Sequence, residues 1–346
     1  MTQSQYHLLY YCIAVVAILL LSLHKRFNKT LNGLLPPLVI ASISLLVGSR
    51  PENVGTDTEI YVYWIQSTLN NPRFDIQNFG LDPVFSLVLY CLGIFGNVSI
   101  SLFGISLITN LVTYYFCKRI SPNALFPARL MFLTIMASFS YFSQQINVIR
   151  IGFAMGVALM FTLSLLNNKK AQTIIWGIVA LFSHFSTIFI LAPAVLVQKT
   201  NIKIKYYLIA YAAAVAFSAV GYGILDTGIL ALIAFSKVDL YTQGTTNGYE
   251  VGFRPAFVLF NTFFLFLFLY LRRNADYRTD YYLKIYIITS IIFFLWFALP
   301  FSDRIGAFSW NILPILLSIF LCNRYKRSSL KATSFVLLYA FICFMI

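Results

Sequence analysis

Tyr6-His-Leu-Leu-Tyr-Tyr-Cys-Ile-Ala-Val-Val-Ala-Ile-Leu-Leu-Leu-Ser-Leu23, followed at once by His24-Lys25-Arg26, decides the fold. The run holds no acid, lysine or arginine. Wound as a helix it rises about 27 Å, close to the hydrocarbon thickness of a bilayer. No basic residue precedes it and a basic cluster follows it, the reverse of a cleavable signal peptide. Because cationic residues collect on the cytoplasmic side, the order predicts a retained first span with its N-terminus outside.

Similar runs recur to the end of the 346-residue chain, which is 60% hydrophobic and 10% charged. In lipid every backbone polar group must be satisfied within the segment, so repeated apolar runs of this length predict helices. The expected fold is all-α. It is a polytopic integral membrane helical bundle of about 10–12 membrane segments, some partial or re-entrant, in one transmembrane domain over residues 1–346. The net charge of +14 is scattered in short clusters between the runs, which encodes topology and contact with anionic headgroups rather than nucleic-acid binding. Cys12, Cys91, Cys117, Cys322 and Cys343 lie in or at the ends of apolar runs with no paired spacing and no accompanying His cluster. That pattern argues for thiols buried in spans, and against a disulfide frame or a metal site; no cofactor is expected.

Basic clusters at residues 24–29, 169–170, 199–205, 272–278 and 324–331 mark cytoplasmic turns. Between them lie the outer segments 48–82, 143–150, 225–254 and 301–304, which hold nine of the eleven acidic residues; Asp276 and Asp280 are the two exceptions. Arg50, Arg73, Arg150, Arg254 and Arg304 also fall there, against the usual charge rule. Arginine grips phosphate through a planar fork, so outer-face arginines point to a phosphate-bearing ligand, best matched by a lipid-linked pyrophosphate. Two runs break the pattern. Ala171–Val197 has lysines at both ends, which predicts a hairpin with His184 near its apex, within membrane depth. Val84–Phe95 is short, follows Pro83 and is expected to form a partial helix.

Each polar group in these segments has two readings. Gly55 permits a tight turn, and Thr56 or Asp57 can cap a helix from Thr58; Asp57 can equally act as a base or a sugar ligand. Asp82 before Pro83 reads as a helix cap. Gln144, Gln145, Asn147 and Arg150 form a polar knot ahead of the small-residue face Ile-Gly-Phe-Ala-Met-Gly. Arg150 then either forms a structural salt bridge or contacts phosphate. His184 is either a satisfied buried imidazole or a base. The loop 226–254 carries Tyr241, Tyr249 and Arg254, with tyrosine faces suited to sugars. Asp303 and Arg304 either neutralise each other or leave Arg304 facing a cavity.

Five elements, in order, carry a resemblance: Arg50 with Val54-Gly-Thr-Asp-Thr58 and Tyr61; Asp82-Pro-Val-Phe85; Asn147-Val-Ile-Arg-Ile-Gly-Phe-Ala154; Phe182-Ser-His-Phe-Ser186; and Asp303-Arg304. Together they resemble the EpsG-like branch of the O-antigen and exopolysaccharide polymerases of the Wzy type. Two positions depart from that pattern: Asp82 stands for the usual Glu, and Ile151 for a frequent Gln. The resemblance implies a glycosyltransferase of the bacterial inner membrane with its active face and loops in the periplasm. It would move a glycan from undecaprenyl pyrophosphate to the terminal hydroxyl of another lipid-linked repeat unit. The implied partners are that lipid-linked oligosaccharide, membrane lipid and a chain-length regulator protein. On this reading Arg150 and Arg304, with Arg50 and Arg254, bind pyrophosphate, and His184 or Asp57 takes the acceptor proton. Tyr61, Gln145, Asn147, Tyr249 and Asp303 contact glycan. A flippase or transporter of the same lipid, and an O-antigen ligase, are the alternatives.

Overall fold

The computed structural model describes residues 2–23, 29–70, 82–121, 125–224, 251–272, 276–325 and 328–346. Every regular element among them is helical, in agreement with the polytopic bundle expected from the sequence. In chain order the helices are α1 (Gln3–Ser22), α2 (Lys29–Gly48), α3 (Thr58–Asn70), α4 (Pro83–Gly93), α5 (Val98–Ile120), α6 (Leu125–Met136), α7 (Phe139–Ile146) and α8 (Ile149–Leu166). There follow α9 (Lys170–Ser183), α10 (Ile188–Lys199), α11 (Ile204–Ala219), α12 (Pro255–Leu271), α13 (Tyr277–Leu295), α14 (Ser302–Arg324) and α15 (Ser329–Phe344). Among the described residues α1, α5, α8 and α14 are long and apolar enough to cross a membrane unaided. The shorter apolar helices carry outward-facing side chains such as Leu38, Ile175, Phe263 and Phe341. Apolar surface on that scale suits lipid rather than water.

The helices gather into two compact units, Met1–Ile188 with Leu317–Ile346, and Phe189–Leu316. In the first, α8 is the central helix: sixteen of its eighteen residues are buried. Its small-residue face does what the sequence predicts. A Cβ on Gly152 would stand 2.6 Å from the Gln144 carbonyl oxygen, so only glycine lets α7 lie this close to α8. A polar seam crosses the same unit. Tyr141 donates to Asn110 Oδ1 at 2.8 Å, Asn110 Nδ2 donates to Ser44 Oγ at 3.3 Å, and Ser106 donates to Gln145 Oε1 at 2.6 Å. These bonds tie α2, α5 and α7 together where apolar packing alone has little register to offer. At the break between α6 and α7, Tyr10 reaches across from α1 to satisfy the Met136 carbonyl at 2.9 Å. Helix α4 has 11 residues and rises about 17 Å, too little to cross, as the partial-helix reading expects. The Ala171–Val197 run breaks at His184, whose extended backbone separates α9 from a 3₁₀ turn, Phe185–Thr187, and α10. The thiols are only partly interior: Cys117 and Cys343 are buried, whereas Cys12 and Cys91 are exposed, because they fall on the outward stripes of α1 and α4.

The second unit is organised around Asn261 of α12. Its amide donates to Ser290 Oγ at 3.1 Å and Ser309 Oγ at 3.2 Å, and its Oδ1 accepts from Trp310 Nε1 at 2.9 Å. Tyr286 donates to its backbone carbonyl at 2.8 Å. One buried side chain thus pins α12, α13 and α14. Asn261→Leu is expected to strand the Trp310 N–H and to cost about 2 kcal/mol or more, seen as a lowered unfolding midpoint in detergent. At the end predicted to be cytoplasmic, Asp280 holds Arg272 at 2.7 Å and Lys284 at 3.2 Å, closing the α12–α13 turn.

Candidate functional site

Asp82 is the hinge of the site. Its backbone caps α4, accepting from Ser86 N at 2.9 Å and Ser86 Oγ at 2.9 Å. Its carboxylate makes no capping bond. The expected side-chain cap is therefore corrected: the carboxylate turns away from the helix N–H groups to the charge of Arg150, with Nη1 to Oδ2 at 2.8 Å. The other oxygen, Oδ1, lies 3.9 Å from His184 Nδ1. Three segments far apart in sequence thus meet at one carboxyl group, which is itself only 7% exposed, while Arg150 and His184 are 26% and 23% exposed. The acid is sheltered and the two basic side chains remain accessible.

Helix α3 supplies the wall. Trp64 lies under the Arg150 guanidinium at 5.3 Å, a cation–π contact, and the Tyr61 phenol is hydrogen-bonded to Arg150. Tyr61 packs edge-on against Phe85, and Phe85 against Phe153, so α3, α4 and α8 close behind the cluster. Burial raises the Tyr61 pKa, with the Arg150 charge opposing it, and the phenol stays a neutral donor near pH 7. His184 is positioned by the break itself: the extended backbone there aims Nδ1 at Ser186, 3.4 Å from its N–H and 3.5 Å from its hydroxyl.

The loop 50–58 is fastened to the same unit. Thr56 N donates to Asn147 Oδ1 at 3.1 Å, and Gly55 turns with φ 94° against Ile146 and Asn147. Asn147, read as a glycan contact, thus spends its carbonyl oxygen on this loop. Asp57 is half-buried at the start of α3, accepts from Thr56 Oγ1 at 3.2 Å, and sits within electrostatic reach of Tyr61. A Cβ on Gly55 would stand 2.7 Å from Ile146 Cγ2 in a backbone region L-residues avoid. Gly55→Ala is expected to cost about 2 kcal/mol, read as a lower unfolding midpoint with protein still reaching the membrane.

Arg50 and Gln145 take a different place. Arg50 is 6% exposed, donating from Nε to Thr58 Oγ1 and from Nη1 to the Gln145 carbonyl, each at 3.2 Å. Gln145 is 2% exposed. Both line a small cavity between α2, α5 and α7. Burial pushes the Arg50 pKa down to about 10, with Tyr6 and Tyr61 opposing, so the group stays charged near neutral pH. In the second unit Arg254 stacks over Phe257 at 5.0 Å and Arg304 over Phe301 at 4.6 Å. Phe301 has φ 59°, a strained backbone that holds the ring as a platform. Gly252 N donates to Phe297 O at 2.7 Å, bringing the Arg254 segment to the turn that leads to Arg304; Asp303 lies in the first turn of α14. Tyr249, with most of the loop 225–250, and Arg73 lie outside the described residues. Within the first unit Arg50 and Arg150 thus have different surroundings, and Arg150 is the one placed beside both a carboxylate and the candidate base. Asp82, Trp64 and Phe85 are the residues sequence reasoning under-weighted. The signal available for Asp82 was an acid just outside an apolar run on the same predicted face as Arg150.

A family model for the EpsG family matches residues 33–346, nearly the whole chain, and the chain belongs to that family. No curated protein and no solved structure matches it. Membership, with the apolar helices, places the chain among multi-pass membrane proteins of polysaccharide biosynthesis with polymerase-like function.

Proposed function

We propose that this EpsG-family member is a polysaccharide polymerase of the Wzy type. It extends a glycan held on undecaprenyl pyrophosphate by transfer to the terminal hydroxyl of another lipid-linked unit, at the periplasmic face of the bacterial inner membrane. The observation that carries the reading is the Asp82 carboxylate bridging an accessible arginine and an accessible histidine. Glycosyl transfer from a diphosphate needs two things. Negative charge building on the leaving oxygen must be stabilised, and the attacking hydroxyl must lose a proton.

Arg150 meets the first need. Its guanidinium has five N–H donors, of which Asp82 and Tyr61 take only part among the described residues, leaving others to fork onto phosphate. His184 meets the second. As a base the ring turns an Nδ1 hydrogen toward Asp82 in exchange for the long Ser186 N–H contact at 3.4 Å, which leaves Nε2 to accept the proton and lets Asp82 steady the imidazolium once it forms. The acceptor oxygen attacks the anomeric carbon, the bond from that carbon to the diphosphate oxygen breaks, and the proton passes to His184. Asp82 touches neither substrate and acts as a positioning residue. Asp57 and Tyr61, at the rim and wall, are placed to meet sugar hydroxyls. Arg254 and Arg304, with Asp303, offer a second set of contacts for the lipid-linked chains, and a chain-length regulator is a candidate partner.

Deleting the gene and inspecting surface glycan on a gel tests the reading. A polymerase leaves one repeat unit on the acceptor. A flippase leaves no surface glycan, and a ligase leaves free polymer on its carrier; either result overturns the proposal.

A further inference from the structure

Apart from the Asp82 cluster, Arg50 buries a positive charge whose hydrogen-bond partners, Thr58 Oγ1 and the Gln145 carbonyl, are both neutral. A charge at 6% exposure with no acid paired to it among the described residues is costly unless something of opposite sign meets it. Arg50 Nη2 has no hydrogen-bond partner among the described residues, and neither do Gln145 Nε2 and Gln144 Oε1. All three residues line the same cavity, together with Ser106 and Thr109, and aliphatic side chains close the rest. The hydroxyls are already spent, Ser106 on Gln145 Oε1 at 2.6 Å and Thr109 on the Ile105 carbonyl at 2.9 Å. The unpartnered polar atoms of the lining residues are thus two N–H donors, one of them charged, and one amide oxygen. Gln144 Nε2 donates to Ser140 Oγ at 3.2 Å; turning that amide over lets Oε1 accept from the same hydroxyl and brings a third N–H to the cavity.

We propose that this cavity binds one small monatomic anion, chloride in ordinary salt, as a built part of the fold. The space is of the order of one water molecule, which excludes phosphate or a diphosphate. A water would satisfy the hydrogen bonds but leave the charge uncompensated, whereas a halide accepts from every donor and neutralises Arg50. The ion locks together α2, which ends beside Arg50, the loop fastened at Thr58, and the Gln144–Gln145 turn of α7. It is a structural ligand, separate from the proposed diphosphate contact at Arg150.

The test is thermal unfolding of the purified full chain in detergent at constant ionic strength, with chloride exchanged for gluconate, which is too large to enter. Chloride and bromide are expected to raise the midpoint saturably by about 3 °C. Arg50→Met is expected to abolish that dependence. Gln145→Leu, which keeps the charge and removes one donor, is expected to raise the half-saturating chloride about 10-fold. Bromide-soaked crystals of the unaltered protein should show an anomalous peak beside Arg50, a readout independent of any variant's folding. Equal midpoints in chloride and gluconate, a halide effect that persists in Arg50→Met, or a cavity without a bromide peak would each overturn the proposal. None of these measurements depends on glycosyl transfer, so the outcome leaves the polymerase reading where it stood.

Discussion

Arg150→Lys is expected to reduce polymer formation about 100-fold or more, collapsing the chain-length ladder to a single repeat unit at unchanged protein level. Lysine keeps the charge but not the geometry. A guanidinium can hold Asp82 through one edge and present another to phosphate, and its flat face can rest on Trp64. An ammonium is a point charge that the nearby Asp82 carboxylate, at 2.8 Å from the present Nη1, would largely consume. Failure to polymerise with normal folding is the expected signature of lost transition-state stabilisation. A ladder like that of the unaltered protein would remove Arg150 from the chemistry and leave its salt bridge as purely structural.

Asp82→Asn is the second large effect, expected to lower polymerisation by about 100-fold while sparing acceptance of lipid-linked substrate. The amide is nearly isosteric, but it carries no charge for Arg150 and cannot steady a protonated His184. Losing the partner of a largely buried guanidinium also costs stability, on the order of 1–3 kcal/mol after allowing for the quarter of Arg150 that solvent reaches. The two consequences separate experimentally. Asp82→Glu, which keeps the carboxylate charge for Arg150 and His184, should retain activity. His184→Ala added to Asp82→Asn should cost little more than either alone, because both disable one proton-transfer unit. Full additivity would show that Asp82 and His184 act independently and would break the proposed relay.

Much of the fold was open to a reader of the sequence because lipid imposes few solutions. An apolar run must be helical, and its length and flanking charge set whether and how it crosses. The partial helix after Pro83, the break at His184 and the close packing at Gly152 were all legible this way, since each rests on local length, charge or side-chain size. The candidate site was legible only in part. His184 and Arg150 stood out as ionisable groups in apolar surroundings. Asp82 read as a cap because Asp-Pro at a helix start is a local pattern, and its true partners lie 68 and 102 positions away, numbers no periodicity encodes.

The sequence by itself determined a helical membrane chain, where its turns fall and which polar residues sit at their mouths, because burial of backbone polar groups and the price of charge in hydrocarbon act on every short segment alone. Tertiary structure decided which of those residues meet. It sent Arg50 and Gln145 inward to a small cavity, spent Asn147 on the Gly55 loop, and joined Asp82, Arg150 and His184 at one carboxylate. Such meetings depend on how α3, α4, α8 and α9 pack around one another. A charge pair's distance is set by that packing and by no stretch of chain read in isolation.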